Sequence, residues 1–212
     1  MKETTKNILN ELMLTRPQLQ CCCKDIENAF LILKDTFDNG NRLFVCGNGG
    51  SSSDSEHIVG ELLKSFRKHR PIREEIYEKL QGMGEDGKYL CDKLEGALPA
   101  VSLNSQTGIM TAFANDKSWD ATFAQQLYGL GSKGDCLISL STSGNSKNCV
   151  YAALVAKAKG LSIIAFTGIG GGKLKESADC TVAVPEKETY KVQELHLPVY
   201  HCLCAMLEEE LF

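Results

Sequence analysis

The chain has 212 residues, with 43% hydrophobic residues, 24% charged residues and a net charge of −4. A chain of this length can bury one sizeable core, so we expect a single domain over residues 1–212. The acidic balance argues against a nucleic-acid partner, because surfaces that bind nucleic acid are normally basic. No apolar run reaches the roughly 18 residues that a membrane span needs, and the polar start Met1–Asn7 does not resemble a signal peptide.

The ten cysteines do not form the pattern of a secreted disulfide scaffold. Several lie inside apolar runs, where a free cysteine behaves as a small hydrophobic residue; these are Cys46, Cys136, Cys202 and Cys204. The triplet at 21–23 has no partner cluster with metal-ligand spacing, so we expect no zinc there. The cysteine pattern indicates a reduced, cytoplasmic protein.

The first part of the chain reads as helices. Pro17 marks a first helical turn, with Thr15 as its expected N-cap. Apolar residues then recur every three or four positions, at Ile26, Phe30, Leu33 and Phe37. This seam suits either packing in the core or contact with another subunit. Gly40 is expected to end that helix.

From residue 43 onward, predicted strands and helices alternate. Strands are expected at 43–46, 98–103, 135–140, 161–166 and 180–184, and helices at 53–66, 106–114, 119–129, 147–159 and 190–211. Nearly continuous apolar strands with helices between them predict an α/β fold of three layers, a parallel sheet flanked by helices. The charged stretch 67–95 interrupts the alternation and predicts a surface excursion with one or two short helices.

Two predicted strands end in polar, glycine-rich turns that lead into helices. Residues 137–140 are followed by the run Ser141–Ser146, and residues 43–45 are followed by Cys46–Asp54. A strand–turn–helix junction directs free N–H groups and the positive end of a helix dipole at one point, which suits a phosphate group. A solvated turn with a helix cap is the alternative for either run alone. Two such turns in one chain favour converging loops at the carboxyl edge of the sheet, where ligands bind in such folds.

Two further groups of residues are candidates for catalysis or metal binding. His57 and Glu61 are four residues apart, so both project from the same face of a helix. They can share a metal or act as acid and base, although a surface pair is the commoner outcome. Gln193 and His201 lie in the last predicted helix, about 12 Å apart along its axis. Convergence on one ion then requires a bend, which Pro198 can provide, or a contribution from a neighbouring subunit.

The order of these motifs resembles the sugar-isomerase (SIS) domain family, and within it the phosphoheptose isomerases. Five features carry the resemblance. The first is GNGGS followed by Asp54, His57 and Glu61, the second is Asn115-Asp116, and the third is STSGNS. The fourth is Thr167-Gly168 with the following glycines and Lys173-Leu174, and the fifth is QELH with His201. It spans nearly the whole chain and implies a parallel sheet with helices and a homotetramer. The implied reaction interconverts sedoheptulose 7-phosphate and an aldose, D-glycero-D-manno-heptose 7-phosphate.

The resemblance also implies roles for individual residues. The implied phosphate loop comprises Ser141, Thr142, Ser143 and Ser146. The implied sugar contacts are Asn48, Gly49, Gly50, Ser51, Glu61, Asn115, Asp116 and Gln193. The implied zinc ligands are His57, Glu61, Gln193 and His201, and the implied acid–base pair is Glu61 and His201.

This chain departs from the phosphoheptose isomerase pattern at several positions. The usual E-L-x-G-R after the glutamate ends here in Ser65 in place of arginine, the segment 67–95 is longer, and Pro198 is unusual. A different sugar phosphate therefore remains an alternative substrate. A non-catalytic member of the same fold, which binds sugar phosphates or acts as an adaptor, is the alternative from another functional class.

Overall fold

A five-stranded parallel sheet forms the centre of the protein, with strand order β2-β1-β3-β4-β5. The computed structural model describes all residues, 1–212. The strands are β1 (Leu43–Gly47), β2 (Ala100–Ser102), β3 (Cys136–Leu140), β4 (Ser162–Thr167) and β5 (Cys180–Ala183). The helices are α1 (Glu3–Thr15), α2 (Cys23–Asp38), α3 (Gly50–Leu63), α4 (Glu74–Gln81), α5 (Gly84–Lys93), α6 (Thr107–Asp116), α7 (Thr122–Leu130), α8 (Lys147–Lys159) and α9 (Thr189–Leu211).

The two faces of the sheet bury different residues of the same strands. Val45 and Ile138 belong to a core cluster that includes residues of α1, α2, α3 and α9. Their neighbours Phe44 and Leu137 belong to a second cluster, formed with α7 and α8. Since successive side chains of a strand point to opposite faces, strands that are apolar throughout require helices on both sides. The predicted three-layer α/β fold is confirmed.

The five predicted strands are all present, with ends that differ by one or two residues. The seam on α2 is explained by the core, because Ile26, Phe30 and Leu33 are buried within the chain. None of the helices combines the length and the apolar character that a membrane-spanning segment needs.

Several helix boundaries were predicted wrongly. Thr15 is the last residue of α1 and caps nothing, because Pro17 begins a 3-10 helix that leads into α2. Helix α3 starts at Gly50, three residues before the predicted start, since the glycine-rich turn itself enters the helix. The helix expected at 119–129 is a short 3-10 turn at Trp119–Ala121 followed by α7.

The charged segment 67–95 carries two short helices, α4 and α5, as predicted. Its beginning, however, is anchored in the protein interior. Arg70 is fully buried and its Nε donates to Glu208 Oε1 on α9 at 2.7 Å. The other guanidinium nitrogens donate to the carbonyl oxygens of Leu62 and Glu61, both at 2.9 Å. Arg70 therefore caps the C-terminal end of α3 and joins it to α9.

Glu208 is surrounded by donors. Burial alone would raise the pKa of its carboxyl group, but hydrogen bonds from the N–H groups of Phe66 and Arg67 and from Arg70 bring that pKa below its ordinary value. The N–H of Lys68 is a further donor, at 3.1 Å. The carboxylate is thus held ionised inside the protein by neighbours from a single turn of chain.

We expect Arg70→Met to destabilise the protein by about 3–5 kcal/mol, because it leaves the Glu208 charge buried without its partner. The measurement is urea unfolding followed by circular dichroism. The matched control is Lys79→Met, which breaks the exposed ion pair with Glu75 on α4 and should cost at most about 1 kcal/mol. Equal stability of the two variants would show that the buried pair does not anchor this segment.

Candidate active site

A polar cavity of about 460 Å³ lies beyond the carboxyl ends of β1 and β3. It is formed by the two glycine- and serine-rich turns together with the start of α9. Its lining residues are Asn48, Gly49, Gly50, Ser51, Leu140, Ser141, Thr142, Ser146, Thr189 and Gln193. Eight of these ten were predicted from the sequence, so the two turns converge as expected.

The cavity binds through dipoles and hydroxyl groups, since none of its lining residues is charged. Helix α3 begins at Gly50 and α8 begins at Lys147, so the N-termini of both helices lie at this edge of the sheet. Free N–H groups and the positive ends of two helix dipoles favour an anion there. A phosphate monoester fits this arrangement without a lysine or arginine.

Hydrogen bonds within the 141–146 turn leave a hydroxyl free for a ligand. Ser141 Oγ donates to Ser146 Oγ at 3.0 Å. A serine hydroxyl has one hydrogen to donate, so Ser146 accepts from Ser141 and keeps its own hydrogen for a ligand. Gly144 has φ +66°, and a Cβ at this position would lie 2.0 Å from the carbonyl oxygen of Gly171. Only glycine allows the turn to pack against the 168–172 loop.

Asn148 ties the two turns together and was not predicted. Its amide exchanges two hydrogen bonds with the amide of Asn48, each at 2.8 Å. Asn148 is buried in the first turn of α8, so the pair fixes Asn48 at the cavity wall. The available signal was an amide side chain directly after the serine-rich turn, in the first turn of a predicted helix.

Gln193 reaches the cavity from α9 because Gly50 has no side chain. A Cβ on Gly50 would lie 2.8 Å from Gln193 Nε2. Thr189 and Leu140 are the two lining residues that sequence reasoning missed. Thr189 is the first residue of α9 and Leu140 the last of β3, and neither position carries a motif of its own.

A second polar cluster lies at the other end of α3. His57 Nε2 is 3.2 Å from Glu61 Oε1, and His57 Nδ1 is 3.0 Å from the hydroxyl of Tyr200. The Tyr200 hydroxyl donates to Asp54 Oδ1 at 3.2 Å. Burial raises the pKa of Asp54, while the Tyr200 hydrogen bond and the His57 ring oppose this rise. The imidazole and carboxylate therefore meet as the i, i+4 spacing predicted.

His201 approaches the same cluster from α9. The centroids of its ring and of the His57 ring are 4.9 Å apart. Its Nε2 is buried without a hydrogen-bond partner. Burial lowers the pKa of His201, the nearby His57 lowers it further, and Glu61 acts in the opposite direction. A neutral imidazole with a free ring nitrogen can accept or donate a proton at neutral pH.

Three predicted site residues lie apart from both groups. Ser143 is exposed, and Asn115 and Asp116 are exposed at the end of α6, where they bond to each other at 2.9 Å. His201 lines a separate cavity of about 230 Å³ between α1 and α9, whereas Gln193 lines the polar cavity. Within one chain the predicted residues thus form a polar pocket and a separate cluster of His57, Glu61 and His201.

The residues predicted as zinc ligands are partly assembled in this chain. No group of three or more histidine, cysteine, aspartate and glutamate side chains is arranged to hold a metal ion. The nitrogen and oxygen donors nevertheless match those that zinc prefers. His57 and Glu61 form a close pair, and His201 Nε2 has no partner, but one chain alone does not bring these donors together as a metal site.

The family model of the SIS domain matches residues 20–88 and 93–168. The chain belongs to the SIS domain family. A phosphoheptose isomerase from Akkermansia muciniphila is 38% identical over 188 residues, which cover 89% of this chain and 86% of that protein. The solved structure of a phosphoheptose isomerase from Francisella tularensis matches with a TM-score of 0.74 at 26% identity, covering 99% of this chain and 100% of the other. The corresponding enzyme from Neisseria gonorrhoeae gives a TM-score of 0.69 at 29% identity, covering 87% and 86%.

We expect Ser146→Ala to weaken phosphosugar binding about 10- to 100-fold, because a lost hydrogen bond to a charged group costs roughly 1.5–3 kcal/mol. Isothermal titration with sedoheptulose 7-phosphate measures the change. Ser132→Ala, at an exposed serine before β3, is the control and should bind as the wild type does. Unchanged affinity of Ser146→Ala would remove the phosphate role of this turn.

Proposed function

We propose that this protein is a sugar-phosphate isomerase that interconverts sedoheptulose 7-phosphate and D-glycero-D-manno-heptose 7-phosphate. The observation that carries the proposal is the position of two chemically different groups on one helix. Helix α3 begins at the polar cavity and carries His57 and Glu61 towards its other end. An enzyme of this class needs a place for the phosphate and a place for proton transfer.

The phosphate end of the sugar is assigned to the cavity. The hydroxyls of Ser141, Thr142 and Ser146 and the N-termini of α3 and α8 would bind the phosphate oxygens. Asn48, Gln193 and the backbone of 49–51 would bind the adjacent sugar hydroxyls. We also propose Ser143, Asn115 and Asp116 as sugar-phosphate contacts. Asn115 and Asp116 would contact the substrate bound to a neighbouring subunit.

Proton transfer is assigned to Glu61 and His201. Moving a carbonyl between C2 and C1 requires a proton to leave one carbon and return to the other, and a carboxylate is suited to this transfer. Glu61 would take that proton, so that the C–H electrons form the double bond of an enediolate. His201, with its free Nε2, would exchange protons with the hydroxyl and carbonyl oxygens.

We propose zinc as the cofactor, held by His57, Glu61, Gln193 and His201. When bound, it would act as a Lewis acid that stabilises the negative charge developing on the substrate oxygens. The support is the donor chemistry and the unpartnered His201 nitrogen.

We further propose that the active form is a homotetramer. Gln193 and His201 lie about 12 Å apart along α9 and face different cavities, so a neighbouring chain would complete the site. Helix α6 buries none of its residues, and large apolar side chains are exposed on α6 and on the elements packed near it, at Ile109, Trp119, Tyr128 and Tyr151. Exposed apolar surface of this kind is typical of subunit interfaces.

We place the protein in the cytoplasm, which suits its ten free thiols.

The decisive experiment is incubation with sedoheptulose 7-phosphate, and with other ketose phosphates, with and without added zinc. The product is analysed for an aldose phosphate. Aldose formation from the seven-carbon substrate supports the proposal, and turnover of another ketose alone would correct the substrate. Binding of sugar phosphates without turnover would instead indicate a non-catalytic member of the family.

We expect Glu61→Gln to lower turnover at least about 10²-fold, because it removes a general acid–base group while keeping the side chain's size. Solvent deuterium should enter the sugar carbon next to the carbonyl with the wild type and not with this variant. The control is Glu56→Gln, an exposed position on the same helix, which should retain activity. An active Glu61→Gln enzyme would place proton transfer on another group.

We expect His57→Ala to lower the zinc bound per chain, because it removes one nitrogen ligand of the proposed site. The measurement is elemental analysis of protein purified without a chelator. His69→Ala is the control, since that imidazole is exposed and lies in the 67–95 segment. Equal zinc in the His57→Ala variant and the wild type would contradict the proposed ligand set.

A further inference from the structure

Tyr200, which none of the sequence motifs includes, is buried in the middle of a row of interacting polar side chains. Its side chain is 1% exposed, and its hydroxyl lies within hydrogen-bond distance of both Asp54 Oδ1 and His57 Nδ1. The other ring nitrogen of His57 faces Glu61. The order along the chain of contacts is therefore Asp54, Tyr200, His57 and Glu61.

The number of available hydrogens determines the direction of these bonds. A tyrosine hydroxyl has one hydrogen to donate, and an ionised carboxylate can only accept. The Tyr200 hydrogen therefore goes to Asp54 Oδ1. The 3.0 Å contact with His57 then requires that Nδ1 carries a hydrogen and donates it to the Tyr200 oxygen. A neutral His57 ring in this state has its lone pair on Nε2.

We propose that Tyr200 is a positioning residue that holds His57 in the Nδ1–H tautomer, so that the lone pair of Nε2 is directed at Glu61. This inference rests on the proposed isomerase function for its catalytic meaning, although the tautomer itself does not depend on activity. Tyr200 does not line the polar cavity. It acts only through His57.

The tautomer sets the chemistry of the gap between His57 and Glu61. A bare Nε2 and an ionised Glu61 Oε1 are both acceptors, and at 3.2 Å they repel each other unless a proton or a cation lies between them. With the hydrogen on Nδ1, the Nε2 lone pair and the Glu61 carboxylate would both be available as ligands of the proposed zinc. The opposite tautomer would place an N–H in this gap and would bind the ionised carboxylate instead.

The test compares the wild type with Tyr200→Phe, which removes the hydroxyl and keeps the ring. Both proteins are labelled with ¹⁵N, treated with a chelator and studied at a pH where the His57 ring is neutral. Long-range ¹H–¹⁵N spectra then show which ring nitrogen carries the hydrogen. The chain has only four histidines, so the His57 signals are assigned by their loss in His57→Gln. We expect a protonated Nδ1 in the wild type and a loss of that preference in Tyr200→Phe.

Kinetics supply the second measurement. Loss of a group that orients a functional histidine typically costs 10- to 100-fold in activity, so kcat of Tyr200→Phe should fall by that factor while KM stays unchanged. Tyr89→Phe, at a tyrosine 63% exposed on α5, is the control and should match the wild type in both measurements. A wild-type His57 with its hydrogen on Nε2 would overturn the proposal even if Tyr200→Phe failed to fold. An unchanged tautomer in a folded Tyr200→Phe would overturn it as well, whereas an inactive wild type with the expected tautomer would remove only the isomerase function.

Discussion

The buried ion pair between Arg70 and Glu208 fixes the relative positions of α3 and α9, the two helices that carry the candidate acid–base groups. Arg70 binds the last carbonyl oxygens of α3, including that of Glu61, and Glu208 belongs to the helix of His201. Because both charges are removed from water, their attraction has to offset a large desolvation cost, and the surrounding N–H donors provide the additional bonds that this requires. The helices cannot slide past each other without breaking this network. The distance between Glu61 and His201 is thereby constrained from outside the site.

Helix α3 then acts as a rigid spacer between two kinds of chemistry. Its N-terminus lies at the polar cavity, and Glu61 lies about 16 Å further along the axis. The C-terminal end of α3 is bound by a cation, Arg70, which complements the negative end of the helix dipole. The positive end of the helix dipole thus faces the proposed phosphate site, and its negative end faces a guanidinium.

Much of this arrangement was predictable because it depends on local sequence. The five apolar strands and the polar turns after β1 and β3 were found from composition and periodicity. Seven of the ten cavity residues lie in those turns and followed from the convergence of strand ends in a parallel sheet, whereas Gln193 was implied by the family resemblance. The His57–Glu61 contact followed from helical spacing alone. In each case the residues that meet are close in sequence or are aligned by the sheet.

The features that were missed depend on side chains that meet across long stretches of sequence. Arg70 and Glu208 are 138 residues apart, and in sequence Arg70 is one charge among many in a segment that is otherwise exposed. Asn148 pairs with Asn48 and Tyr200 with Asp54 over similar separations. No periodicity indicates these partners. Each pair forms only when α8 packs beside the turn after β1, or when α9 packs against α3 and the chain that follows it. Ser65 illustrates the limit. It departs from the pattern of the family that the sequence resembles, and its hydroxyl accepts a bond from the Arg70 N–H at 3.0 Å. Ser65 is therefore part of the turn that places Arg70 at the end of α3.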